Sequence, residues 1–265
     1  MSNRVEKHGE KIVQDTRNLI SLRYHTVTKA VNKEFWNSIS DTLHSLYVGS
    51  YGRNTAINTS DVDILVELPS NLFDHYNNLS GNVQSRLLQA VKTAIKEAYQ
   101  NSDIRADGQV IKIAFSDGMR FEIVPTFKSI YGGYKYPNTN CGGKWESTNP
   151  KAEQEAMSEK NKSSNGLLYD TCKHIRYIRD KYFSSYHLSG IVIDSFVYEA
   201  IGNWRWLNSG ESSSSPSGTY EKVLLNYYNQ HDIRNGVSIN APGSNDIVPT
   251  ASSYECLEKV LEYMI

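Results

Sequence analysis

The sequence predicts an α+β protein: a mixed β-sheet with flanking helices, packed on a helical C-terminal lobe. Three observations predict it. In SDVDILVELP, Val62, Ile64 and Val66 alternate with Asp61, Asp63 and Leu65, which is the period of a strand. VIKIAFSDGMRFEIVPTF holds two β-like runs around Asp117-Gly118, a turn dipeptide that favours a hairpin. Beyond residue 150 the patterns are mostly helical. The lobes are therefore set at 1–150 and 151–265.

In chain order, the first element is a long helix from about Arg4 to Val31. Val13, Ile20 and Val27 recur along it, with Ile12, Leu19 and Val31 beside them. Phe35, Trp36 and Ile39 form a second apolar cluster. Leu46, Tyr47 and Val48 suit a short strand broken by Gly49-Ser50. The strand through Asp61 and Asp63 ends at Pro69. An amphipathic helix follows over Asn82–Tyr99, with Val83, Leu87, Val91 and Ile95 on one face and Asn82 as its cap. After the hairpin, residues 129–150 are rich in Gly, Tyr, Asn and Pro and read as a long loop. Helices are expected over Leu167–Tyr182, Ile193–Trp206 and Tyr220–Tyr228, with a short one at the C-terminus. Residues 208–218, NSGESSSSPSG, read as a surface loop.

Composition narrows the function. The chain has 265 residues, 39% hydrophobic and 22% charged, as ordinary globular proteins are. A net charge of -1 supplies no global field for nucleic acid and leaves only a local basic cleft open. Three scattered cysteines, Cys141, Cys172 and Cys256, form no C-x-x-C pair, which fits a reducing compartment. The polar first residues lack an apolar signal core. No stretch approaches the roughly 20 apolar residues of a membrane span. The expected location is cytoplasmic. The seven histidines show no metal-ligand spacing.

Asp61 and Asp63 are the residues that carry chemistry. Two apart on one strand, they share a sheet face. Glu122 sits in MRFEIV, where Phe121 and Ile123 form the apolar face, so Glu122 and Arg120 point the other way. If the two strands are neighbours, three carboxylates converge. Such a cluster calls for a cation, and Mg²⁺ takes hard oxygen ligands together with substrate phosphates. Alone, D-x-D also fits a solvated strand face. Here Gly49-Ser50 precedes it, directly after another strand. A glycine there lets backbone N–H groups approach phosphate, and Ser50 adds a hydroxyl.

GSYGRNTAINTSDVDILVELP followed by RFEIVPTF resembles the signature of the polymerase-β-type nucleotidyltransferase superfamily. The form is most similar to the bacterial cGAS/DncV-like nucleotidyltransferases and the oligoadenylate synthetases. KWESTNP, the helix holding Lys173, and IDSFVYEAI extend the resemblance over most of the chain. It implies a nucleotidyltransferase lobe with an active site in the cleft facing the helical lobe. It also implies that Gly49 and Ser50 bind triphosphate, that Asp61 and Asp63 hold Mg²⁺ or Mn²⁺, and that Glu122 completes the metal set at the attacking hydroxyl. Lys173 and Ser195 fall where that family's lysine and serine contact triphosphate. Glu122 departs from the pattern, which has Asp there.

The implied activity joins nucleoside triphosphates into a cyclic or short linear oligonucleotide signal, releases pyrophosphate, and serves antiphage defence through a downstream effector protein. Two other readings stay open: transfer to a protein, RNA or small-molecule acceptor, and a catalytically inactive nucleotide-binding module. Several residues also keep two readings. Arg53 could meet phosphate or form a structural ion pair. Lys173 could be a solvated helix lysine, and Ser195 could bond its own helix. Trp145, Tyr131, Tyr134 and Tyr136 could stack on a base or pack internally.

Overall fold

The computed structural model describes residues 5–9, 11–58 and 61–265. It divides into two compact units. One comprises Ile12–Gly52 and Asn58–Pro150; the other holds Arg53–Ile57, Lys151–Ile265 and the described residues before Ile12.

The first unit is built on a sheet. Its elements are α1 (Gln14–Phe35), β1 (Ser45–Tyr47), α2 (Gly49–Gly52), β2 (Asp61–Leu68), α3 (Ser70–Asn77), α4 (Val83–Ala98), β3 (Asp103–Asp107), β4 (Val110–Ala114), β5 (Arg120–Lys128), β6 (Tyr134–Asn138) and β7 (Lys144–Thr148). The strand order is β1-β2-β5-β4-β3, with β6 and β7 continuing from the end of β5. β2 and β5 run parallel, and the other pairs are antiparallel. One sheet face is buried by Ile20, Val27 and Val31 of α1 and by Leu87, Val91 and Ile95 of α4. They pack on Val62, Ile64, Val66, Phe121 and Ile123. Period two then assigns the odd positions of β2 and the even positions of β5 to the opposite face.

α1 begins ten residues later than the expected start at Arg4 (14 − 4) and runs on to Phe35. Gly9 takes φ +50°, which interrupts a helix there, and residues 5–9 are bonded elsewhere. The His8 N–H donates to Asp170 Oδ1 at 2.8 Å, and the Val5 N–H to Glu221 Oε1 at 3.3 Å. The expected loop over 129–150 is largely the β6–β7 hairpin. The glycines are turn corners, Gly132 and Gly133 between β5 and β6 and Gly142 and Gly143 between β6 and β7, all at positive φ. The other boundaries follow the sequence closely. β2 stops before Pro69, and Asn82 Oδ1 caps α4 by accepting from the Ser85 N–H at 3.0 Å.

The second unit is helical: α5 (Pro150–Ser163), α6 (Leu167–Tyr182), α7 (Gly190–Ala200), α8 (Thr219–Gln230) and α9 (Tyr254–Tyr263), with a small ribbon of β8 (Ile239–Asn240) and β9 (Ile247–Val248). Its core joins Leu168, Cys172 and Ile175 of α6 to Phe196 of α7, Tyr220 and Leu224 of α8, and Leu257 of α9. α7 stops at Ala200 rather than Trp206, and Gly202 just beyond it takes φ +54°. All three cysteines are free. Among the described residues no helix is long and apolar enough to cross a membrane.

Candidate catalytic face of the sheet

The parallel register of β2 on β5 places Asp61 opposite Arg120 and Asp63 opposite Glu122. Directly paired residues share a face, so all four side chains stand on the face away from α1 and α4. β4 continues the rows, with Lys112 opposite Glu122. Two carboxylates thus sit side by side on adjacent strands about 4.8 Å apart, with a third two residues along β2.

The turn before β2 closes on this face. The Val48 N–H donates to the Asp63 carbonyl at 2.9 Å, and the Gly52 N–H to the Val48 carbonyl at 2.9 Å. Gly49 takes φ +60°. A Cβ there would collide with Asp63 Oδ2 and stand 2.7 Å from its Cγ. Glycine therefore meets two demands at once, a left-handed backbone and contact with a carboxylate. Ser50 follows it in α2.

Two cations accompany the carboxylates. Arg120 Nε lies 2.7 Å from Asp61 Oδ1 and its Nη2 3.4 Å from Oδ2. Lys112 Nζ lies 3.5 Å from Glu122 Oε1 but 2.8 Å from Asp107 Oδ2. The bond to Asp107 pushes the Lys112 amine above its usual range. Among the described residues no group of three acidic, histidine or cysteine side chains stands ready for a metal ion. The donor chemistry nonetheless fits a hard divalent cation: oxygen ligands only, on one face, with a glycine cradling one of them. Parity in the sequence places Arg120 on the face of Glu122 without giving it a role, and Lys112, which reaches that face from β4, escaped the sequence reading.

Arg53, Lys173 and Ser195 belong to the helical unit. Arg53 is buried, donating from Nε to Asp194 Oδ2 at 2.9 Å and from Nη1 to Glu153 Oε2 at 2.8 Å. Asp194 also accepts from Thr55 Oγ1 at 3.0 Å and from both Arg176 Nη atoms at 2.7 and 2.9 Å. Burial alone would raise the Asp194 carboxyl; the Arg176 and Arg53 guanidiniums outweigh it and hold the group below its usual range. At Glu153 burial prevails over Arg53 and pushes the carboxyl up. These contacts make Arg53 part of a structural ion-pair network. Ser195 is fully buried, and its Oγ has no hydrogen-bond partner among the described residues, its own helix included.

Lys173 is buried to 9% exposure, and its Nζ donates to the Gly9 carbonyl at 2.7 Å. Beside it, His174 Nδ1 and His8 Nε2 share a hydrogen bond of 3.0 Å. Burial first, and His8 second, pull the His174 pKa down to about 4. A depressed histidine is neutral when folded and binds protons more readily when unfolded. Between its unfolded pKa near 6.5 and about 4, stability therefore falls as pH falls. In a series of melts from pH 7 to pH 4.5, His174→Gln is expected to flatten the decline in Tm.

The aromatic candidates divide. Trp145 packs against Phe73 and Phe127 at ring-centroid distances of 5.0 and 5.7 Å, and its indole N–H reaches Asn77 Oδ1. Tyr134 is buried, and the Tyr136 hydroxyl donates to Glu146. Tyr131 is 91% exposed.

Sheet, turn and carboxylate pair define a nucleotidyltransferase fold. Residues 8–161, more than half of the chain, match the family model described as the Second Messenger Oligonucleotide or Dinucleotide Synthetase domain, and the chain belongs to that family. A cyclic AMP-AMP-AMP synthase of Acinetobacter sp. (strain ATCC 27244 / 9458) is 28% identical over 210 residues, which are 78% of this chain and 55% of the relative. A probable cyclic nucleotide synthase of Bacillus cereus (strain VD146) is 26% identical over 165 residues, 58% of this chain and 47% of the relative. The chain thus spans about half the length of these curated relatives. Among solved structures, the CdnE cyclic dinucleotide synthase of Elizabethkingia meningoseptica, determined with GTP and Apcpp, has a TM-score of 0.62 at 16% identity, covering 93% of this chain and 89% of that one. A CdnE c-di-GMP synthase of Capnocytophaga granulosa has a TM-score of 0.63 at 16% identity, covering 93% and 80%. At these identities the two structures share the fold.

Proposed function

We propose that this chain is a metal-dependent nucleotidyltransferase that joins nucleoside triphosphates into a cyclic or short linear oligonucleotide signal. The observation that carries the reading is the convergence of Asp61, Asp63 and Glu122 on one face of adjacent strands, against the Gly49-Ser50 turn. In the reaction a ribose hydroxyl of one nucleotide attacks the α-phosphorus of another. The new P–O bond forms as the bond to the β-phosphate oxygen breaks, pyrophosphate leaves with that electron pair, and the hydroxyl's proton is released to water. Mg²⁺ or Mn²⁺, held by Asp61, Asp63 and Glu122, would lower the charge on the attacking and leaving oxygens. The chain's own part is positioning. Gly49 and Ser50 hold the triphosphate, and Glu122 faces the attacking hydroxyl. The substrates are nucleoside triphosphates. ATP is the first to assay, since one relative is named a cyclic AMP-AMP-AMP synthase. The product acts in the cytoplasm on a downstream effector protein, in defence against phage.

The test is incubation of the protein with all ribo- and deoxyribonucleoside triphosphates and Mg²⁺ or Mn²⁺, with products identified by mass spectrometry. The parent is expected to form new phosphodiester products. The Asp61→Asn/Asp63→Asn double variant should lose on the order of a thousandfold or more, several kcal/mol of charge stabilisation. Product attached to an added RNA, protein or small molecule would move the reading to acceptor transfer. Equal silence from both proteins, with nucleotide still bound, would favour the binding-only module.

A further inference from the structure

We propose that Arg120 is a resident counter-cation for Asp61, competing with the divalent cation for that carboxylate until nucleotide arrives. The inference rests on the proposed function and deepens it.

Three carboxylates on one sheet face repel one another, and the face supplies its own positive charge. Arg120 is the direct cross-strand partner of Asp61 in the parallel register. Its fork grips both carboxylate oxygens, at 2.7 and 3.4 Å. This is the two-point geometry for which guanidinium is suited and ammonium is not. Lys112 is placed the same way opposite Glu122, but it stands 3.5 Å from that carboxylate and 2.8 Å from Asp107. Glu122 is therefore only loosely held, whereas Asp61 is occupied. Both members of the Arg120–Asp61 pair are open to water, with side chains 57% and 46% exposed. Water screens such a pair to about 0.2–1 kcal/mol, weak enough to be exchanged. A triphosphate offers the guanidinium a more highly charged partner whose tetrahedral phosphate oxygens the same fork can grip at two points. Arrival of the nucleotide thus releases Asp61 for the metal. The consequence is that divalent metal binds weakly to the empty site and firmly only with substrate.

The test is Mn²⁺ titration of the nucleotide-free full chain, followed by loss of the free-ion electron paramagnetic resonance signal. Arg120→Gln is expected to bind Mn²⁺ about two- to fivefold more tightly than the parent. Adding Asp61→Asn to Arg120→Gln should cancel the gain, and Arg120→Lys should recover part of the parent's weaker binding. Arg105→Gln controls for net charge: it removes one positive charge from a strand of the same sheet, where Arg105 pairs with Asp103 at 2.8 Å. It should leave the affinity unchanged. Equal affinity in the parent and Arg120→Gln would overturn the proposal while leaving the proposed function standing. So would an equal gain from Arg105→Gln. Absence of any bound Mn²⁺ in every variant, with the double aspartate variant indistinguishable from the parent, would overturn both.

Discussion

Asp194→Ala is expected to lower stability by about 3–5 kcal/mol, because it leaves two buried guanidiniums without their shared counter-ion. Asp194 is fully buried, Arg53 is 6% exposed and Arg176 3%. All three charges are therefore far from the screening that weakens surface pairs. Arg53 keeps Glu153, but among the described residues Arg176 retains only the backbone carbonyls of Cys172 and Gly190. For a chain of this size the loss corresponds to a fall in Tm of roughly 6–20 °C, read by calorimetry or circular dichroism. Glu211→Gln is the matched control. The bond from Arg205 pulls Glu211 down to about 2, yet both side chains face water. Screening discounts that bond, and Tm should move far less. A similar small shift from Asp194→Ala would show that the helical unit tolerates the buried charges.

How much of this was legible in the sequence depended on whether a local signal existed. Period-two alternation in residues 61–68 and the Asp117-Gly118 turn located β2, β4 and β5. The face of each carboxylate followed from parity alone. That β2 and β5 are neighbours, and parallel, is a tertiary fact that no local pattern carries; it had to enter as a condition. The β6–β7 hairpin was hidden because its strands, YKYPN and KWEST, are short and polar. Their burial does not alternate and no residue of β7 is buried, and the flanking glycines look like loop composition when they are turn corners. α5 was missed for a similar reason, since PKAEQEAMSEKNKS is polar on nearly every side and only Met157 within it is fully buried among hydrophobic residues. The site behaved likewise. Gly49, Ser50, Asp61 and Asp63 lie close in sequence and formed a readable motif. The partners of Arg53 are a hundred or more residues away, at Glu153 and Asp194, so its choice between phosphate and ion pair could not be read from its neighbours.

Gly49→Ala is expected to reduce product formation by about a hundredfold or more while leaving most of the stability in place. Two costs meet at this position. A non-glycine residue at φ +60° carries strain of about 1–2 kcal/mol. The added Cβ would also fall on the Asp63 carboxylate, so either the turn or the carboxylate has to shift. The shift needed is on the order of an ångström, and such a displacement of a positioned group costs about a hundredfold in rate. Strain and displacement are separable. Gly118 and Gly132 take φ of 87° and 90°, and nothing lies within 4 Å of a Cβ built on either. Gly118→Ala and Gly132→Ala therefore impose backbone strain without touching a carboxylate. Both should lose stability comparable to Gly49→Ala in thermal melts and keep near-parental turnover. If all three variants lost turnover together, strain alone would account for the effect, and contact between Gly49 and Asp63 would have no bearing on catalysis. If Gly49→Ala alone fails, and its residual rate shows a fall in kcat rather than a rise in KM, then the turn serves to fix the carboxylate as well as to receive phosphate. A glycine in this position would then be needed twice over, once for the backbone it permits and once for the side chain it lacks.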